Sequence, residues 1–229
     1  MTTEEFSNEF DTLLNSYSNE YSINIDEYEK SIFLSHAQEE ILLELYNGKN
    51  QFEDSFEGTE EIRRYLSNLV KTYTTTKKEE DITGLSDKSV FFKLPEDLWF
   101  IVFESVKLED ERLGCKNDRH VLVVPTPLDD YYNVYNNPFR GPGSRRVIRL
   151  DSDNRIVELI SEYNIGSYLV RYLSRPKPII LVDLPFGLKI DGENKRMDCS
   201  LHPALHRKIL DRSVKIAATI KGLITNNMK

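Results

Sequence analysis

The hydrophobic period of the chain changes twice, and that change restricts its fold more than any other feature. Up to about residue 75 the apolar residues recur at helical spacing. Phe6, Phe10, Leu13, Leu14 and Tyr17 form one stripe, with Thr2 and Glu5 placed to make a capping box at its start. Asp26 caps a second helix, Glu29 completes its box, and Asn47-Gly48 stops it after Tyr46. Its apolar set (Tyr28, Ile32, Phe33, Ala37, Ile41, Leu42, Leu45) is broad enough to face more than one neighbour. Thr59 opens a third, shorter helix with Ile62, Tyr65, Leu66, Leu69 and Val70 on its buried side, and the polar stretch from Thr72 to Asp87 reads as a connector.

From Ser89 the spacing is that of strands. Val90-Phe91-Phe92, the dense run from Leu98 to Val106, and His120 to Val124 are β-branched and aromatic. Arg146 to Leu150 and Arg155 to Ile160 flank the turn-formers Asp151-Ser-Asp-Asn154 and make the clearest hairpin. Tyr168 to Leu173 and Ile179 to Val182 are two more expected strands, parted by Pro176 and Pro178. Helical spacing returns after Pro203, with Leu205, Ile209, Val214, Ala217 and Ile220 as its stripe to about Lys221. Helices segregated from strands make this an α+β chain. The expected architecture is a helical bundle in which the last helix packs on the first two, with a small antiparallel β-rich insertion or arm in the middle. The expected divisions are a helical region 1–75, a strand-rich region 88–183 with a basic hairpin arm, and a closing helix 199–225.

Charge is distributed unevenly. Residues 1–60 hold 15 acidic and 2 basic side chains, whereas the remainder holds 23 acidic and 28 basic. The basic excess gathers at Arg140, Arg145, Arg146 and Arg149, and again at Arg207, Lys208, Arg212, Lys215, Lys221 and Lys229. Opposite charge at two ends suits stacking on another copy or on a neighbour of complementary field. Hydrophobic content of 39% with 30% charged residues describes a soluble globular protein, and no apolar run reaches the roughly 20 residues of a membrane span. The opening MTTEEFSNEF, acidic and polar, reads as neither signal nor transit peptide. Two cysteines, Cys115 and Cys199, make no disulfide framework and fit no zinc spacing, as expected of thiols kept reduced in a cytoplasm.

Little in the sequence marks chemistry. His202 and His206 stand at the spacing of zinc-binding helices, but position 203 is proline where a glutamate is expected, and no third ligand is marked. Capping or helix-face histidines are the simpler reading. The loop Asn137-Pro-Phe-Arg-Gly-Pro-Gly-Ser-Arg-Arg146 lacks a Gly-Lys-Ser/Thr, loses two donors to Pro138 and Pro142, and feeds a strand instead of a helix. A stiff basic arm that touches a neighbouring chain or nucleic acid suits it better than a phosphate cradle. Pairs such as Glu39-Glu40, Glu60-Glu61 and Asp129-Asp130 read as solvated faces, and no Gly-x-Ser-x-Gly elbow frames a nucleophile. No catalytic residue, metal or cofactor is expected. A net charge of −8 opposes strong nonspecific DNA binding.

Several stretches carry a resemblance. Phe6-Ser-Asn-Glu-Phe-Asp11, Asp26-Glu-Tyr-Glu-Lys-Ser31, Ala37-Gln-Glu-Glu40 and Phe92-Lys-Leu-Pro-Glu-Asp-Leu-Trp99 resemble ring (neck) proteins of crAss-like bacteriophages. Asn137-Pro-Phe-Arg-Gly-Pro142, Tyr168-Leu-Val-Arg-Tyr-Leu173 with Pro176-Lys-Pro178, and Cys199-Ser-Leu-His-Pro203 agree in order along nearly the whole chain. A looser likeness joins it to head–tail adaptors of other tailed phages, usually twelve copies on a dodecameric portal. The resemblance implies a non-enzymatic virion protein of the neck, made in the host cytoplasm, forming a homo-oligomeric ring. It implies contacts with the portal protein and other ring or tail proteins, the portal-touching ring being the favoured place. Double-stranded DNA would pass through without sequence recognition during genome retention and ejection. Phe139, Arg140, Arg145, Arg146 and Arg149 are the candidate inter-subunit contacts, and Glu39, Glu40 and Glu44 the candidate lumen face. The rivals are a DNA-handling or regulatory protein using the basic C-terminal helix, and a metal-assisted hydrolase using His202 and His206.

Overall fold

A seven-stranded sheet, and not a helical bundle, is the principal body of the protein. The computed structural model describes residues 1–17, 24–48, 60–79, 82–152 and 155–223. The start of the third helix at Thr59, the Asp153-Asn154 turn and Lys229 lie outside the described residues. Two compact units divide the chain: Met1–Leu69 with Pro176–Lys229, and Val70–Arg175.

The second unit contains β1 (Val70–Thr75), β2 (Ser89–Lys93), β3 (Leu98–Leu108), β4 (His120–Pro125), β5 (Arg146–Asp151), β6 (Ile156–Ile160) and β7 (Ile165–Ser174). They form one sheet in the order β1-β7-β3-β4-β5-β6-β2. All neighbours are antiparallel except β4 and β5, which run parallel. Parallel neighbours need a crossover, and this one contains the short helix α4 (Tyr131–Tyr135). The sheet curls into a half-barrel. Its edges make this plain: Thr75 pairs with Tyr168 of β7, and only four residues later Glu79 bridges Phe91 of β2 at the opposite edge. Four residues reach about 14 Å at most, whereas six flat inter-strand spacings would need about 29 Å.

The expected bundle with a small antiparallel insertion is therefore corrected in three ways. The strands are not a small antiparallel insertion but join one mixed seven-stranded sheet around the long strand β3. The 146–160 hairpin is not an arm, since β5 and β6 lie between β4 and β2. The supposed polar connector contains β1, whose Thr and Tyr residues favour strands. Its mostly exposed burial pattern, as suits an edge, gave it no apolar period to read.

One face of the sheet holds the core: Phe92, Val106, Leu108, Val121, Val123, Val147, Val157, Leu159, Tyr168 and Val170 are buried together. Glu104 and Arg149 face the same side by strand alternation. Arg149 Nη1 lies 3.0 Å from Glu104 Oε1, and the Tyr168 hydroxyl donates to Glu104 Oε2 at 2.6 Å. The Arg149 contact is ionic more than directional, for neither Nε nor Nη1 aims a well-aligned N–H at an oxygen. Burial pushes the Glu104 carboxyl up, and the Arg149 charge acts against that.

In the first unit, α1 (Thr3–Tyr17), α2 (Glu27–Asn47) and α5 (Pro203–Ile220) pack together; α3 (Glu60–Leu66) also belongs to this unit. Phe6 tilts against His206 and Phe10 stacks on Phe33. The Thr2–Glu5 box forms as expected, with Glu5 N–H donating to Thr2 Oγ1 and Thr2 N–H to Glu5 Oε2. Asp26 accepts from the Glu29 N–H at 2.7 Å, and Gly48 ends α2 at φ 74°, the left-handed conformation that favours glycine there. Ile179 to Val182, expected as a strand, runs instead as a strap on α2. Ser31, Ser35 and Gln38 lie at i, i+4 and i+7, one helix face. Ser31 Oγ accepts from Leu181 N–H, Ser35 Oγ from Ile179 N–H, and Gln38 Nε2 donates to Lys177 O. Helix side chains thus satisfy backbone groups that a sheet ladder would otherwise take.

Candidate assembly surfaces

The unusual surface of this protein consists of apolar and cationic side chains held outward on braced loops. In the β4–β5 crossover, α4 turns Tyr131, Val134 and Tyr135 inward onto Ile148, Leu150 and Ile160. Beyond it the chain makes a tight turn. Asn137 Oδ1 accepts from the N–H groups of Phe139 and Arg140, and Gly141 N–H donates to Asn137 O at 2.7 Å. A Cβ on Gly141 would sit 2.7 Å from Tyr135 O and 2.9 Å from Asn137 O, so glycine is required by close backbone approach. This turn presents Phe139 at 88% exposure.

The five candidate contact residues are only partly brought together. Phe139 and Arg140 stand at the tip of the turn, Arg145 is exposed beside β5, and Arg146 is half-buried. Arg140, Arg145 and Arg146 have no ion-pair partner among the described residues. Arg149 is separated from them: it points to the opposite face and is engaged with Glu104 inside the core. In β5 both faces are apolar, so alternation in the sequence did not reveal which side Arg149 takes.

The candidate lumen acids have partners of their own. Arg212 on α5 holds Glu40 at 3.1 Å and Glu44 at 2.8 Å, and Glu39 is half-buried. Further pairs join the acidic helices to the basic C-terminal part: Arg207 with Glu9, Arg196 with Glu4 at 3.3 Å, and Lys221 with Glu29 at 3.1 Å. The opposite charges seen in the sequence meet inside this unit. That also lowers the positive field the DNA-handling rival requires of α5.

His202 and His206 do not act as a pair. The helix begins at Pro203, so His202 is its cap, with Nδ1 accepting from Ala204 N–H at 3.3 Å and the ring against Tyr65. His206 is buried; its Nε2 meets Leu201 O at 3.1 Å and its Nδ1 the Met1 amino group at 2.7 Å. Burial holds its pKa below the ordinary value. Among the described residues no three His, Cys, Asp or Glu side chains gather as a metal site.

One surface escaped the sequence reading. The loop from Val182 to Ile190, pinned by the Ile180–Met197 and Ile190–Glu193 bridges, exposes Val182, Leu188 and all of Phe186. Pro185-Phe-Gly187 was the available signal: an aromatic residue between two turn-formers.

Exposed aromatic anchors on hydrogen-bonded turns are the kind of surface at which proteins meet partners. Comparison with known proteins gives the class. The model of the family described as "Phage tail ring protein 3/4" matches residues 1–229. The chain is similar to "Ring protein 3" of Bacteroides phage crAss001, 52% identical over 228 residues that cover 99% of each chain. It is also similar to "Ring protein 4/5" of the same phage, 33% identical over 227 residues covering 95% of this chain and 92% of the relative. It is a structural component of a phage virion. The chain belongs to the crAss-like phage tail ring protein 3/4 family.

Proposed function

We propose that the protein is one subunit of a closed homo-oligomeric ring, twelve copies around an axis, in the neck between portal and tail. The family description names a tail ring, and this supports a position in the stack of rings on the tail side, against the portal-touching place favoured by the sequence. Neighbouring ring or tail proteins and the portal are its partners, and genomic DNA passes along the axis. The observation that carries the reading is Phe139 on its braced turn: an aromatic at 88% exposure, beside arginines without an ion-pair partner among the described residues, gains about 1.5–3 kcal/mol once buried by a neighbour. No step of this role requires catalysis.

Light scattering and negative-stain microscopy test it, with the purified chain alone and mixed with portal or adjoining ring proteins. A ring in any mixture supports the reading and gives the copy number. A chain that stays monomeric in all of them overturns it, and salt-dependent DNA binding by that monomer would restore the DNA-handling rival. The channel wall is proposed to be the α2 face carrying Glu39, Glu40 and Glu44, where negative charge keeps DNA from sticking. Replacing all three by Gln should slow DNA ejection; unchanged ejection places that face elsewhere.

A further inference from the structure

The outer face of the sheet is closed over β5 and β6 but carries an open apolar patch over β3, β4 and β7. We propose that the open patch is covered by the β4–β5 crossover of the next copy in the ring. This rests on the ring reading above and adds the surfaces that meet.

Register defines the two regions. Ser105 pairs with Leu122 and Leu169, Phe103 with Arg171, and Val124 with Ile148, which puts all of them on the face opposite the core. Over β5 and β6 this face is closed: Ile148, Leu150 and Ile160 lie buried beneath the chain's own crossover. Over the middle of β3, β4 and β7 it lies open among the described residues, although Ser105 and Leu173 are buried there. Phe103 is 48% exposed and Leu122 54%, and they line a hollow of about 600 Å³.

The crossover has a second side of matching character. Tyr131, Val134 and Tyr135 face inward; Leu128 and Tyr132, one turn apart, face outward at 61% and 65% exposure. Charge complements shape. The hollow and the cleft that adjoins it are lined by Lys116, Arg119, His120, Arg145 and Arg171, with no carboxylate among the lining residues described. The crossover carries Asp129 and Asp130 beside its exposed apolar pair, and no cation from residue 127 to 137. A copy seated this way continues the layer its neighbour's crossover begins. Donor and acceptor are different surfaces of one chain, so the contact is heterologous, the type from which rings are built when its rotation divides a full turn.

Cross-linking in purified virions tests the contact. Leu122→Cys and Tyr132→Cys together, in a Cys115→Ser background, should give on mild oxidation a ladder of covalent multimers up to the full ring. Cross-linked material should exceed that of either single variant at least tenfold. A ring intact in the particles without a ladder overturns the contact and leaves the ring reading standing. Single variants that dimerise as strongly as the pair links indicate a two-fold contact and also overturn it. Virions in which the protein forms no ring overturn both. If the cysteine pair blocks assembly, charge exchange decides: Arg119→Glu and Asp129→Arg should each cut virion yield at least tenfold, and the double variant should restore it. Failure to restore overturns the contact.

Discussion

The helical unit and the sheet unit place their arginines differently. In the helical unit Arg207, Arg212 and Lys221 each reach a carboxylate of another helix at the surface: Arg207 meets Glu9, Arg212 meets Glu40 and Glu44, and Lys221 meets Glu29. Even the buried Lys30 is held by Asp11 at 2.7 Å and Glu27 at 2.9 Å. The sheet unit divides its charge more sharply. Arg149 and Glu104 are paired within the core, while Arg119, Arg140 and Arg145 stand in solvent without a partner among the described residues. The first unit joins its helices by surface pairs. The second has surface pairs too, such as Lys71 with Asp97 at 2.6 Å, but adds an internal clamp and a set of solvent-facing arginines.

The largest test of that split is Glu104→Ala, which leaves Arg149 buried and unpaired. It should cost about 3–5 kcal/mol in urea denaturation, and a loss under about 1 kcal/mol would mean the clamp is solvated. Ser35→Ala removes the acceptor for Ile179 N–H and should cost about 1–3 kcal/mol, with faster hydrogen exchange confined to the strap. Arg212→Ala, a half-exposed surface pair, should cost only about 0.2–1 kcal/mol and less at high salt. A larger loss would show that surface pairing does more for the helical unit than its exposure allows.

Titration of His206 gives a slope rather than a step. Its folded pKa lies below the ordinary value near 6.5. The unfolded chain therefore takes up the proton first, and the contribution is intact above pH 6.5 and declines as pH falls through that range. The melting temperature should drop between pH 7 and 5.5, and less steeply in His206→Phe. Smallest of all is Arg140→Glu, expected to leave stability within about 0.5 kcal/mol while impairing ring assembly. A destabilised monomer would place Arg140 in the fold and erase the contrast between the units.

How much of this was legible depends on how local the determining contacts are. Caps were readable because Thr2, Asp26 and Pro203 act within one turn of themselves. The core of the 146–160 hairpin was readable for the same reason. The sheet as a whole was not: β1 pairs with β7 about a hundred residues later, and nothing in Val70–Thr75 announces that partner. Arg149 reads like its neighbours Arg145 and Arg146, and only Glu104, on another strand, turns it inward. The Ser31, Ser35 and Gln38 row looked like polar interruption of an apolar helix until the strap that it binds was in view. Of the candidate contact residues, the exposed turn that carries Phe139 and Arg140 was legible from Asn137, Pro138 and Gly141. The hollow at Phe103 and Leu122 was hidden because a strand's two faces cannot be ranked without knowing what covers each.

The strand order also sets a timetable for synthesis. Both edge strands, β1 and β2, are made first, yet their partners β7 and β6 are among the last strands to leave the ribosome. From Lys93 to Ile156 a translating ribosome needs roughly 3–13 s at ordinary elongation rates. The helical unit waits longer still, since α1 and α2 close on α5. No chain cut before β7 can present a finished crossover above a finished sheet face, so such a product has nothing complete to offer a growing ring. Topology here works as quality control: the sheet face that would meet a neighbour is finished only once β7 has been made.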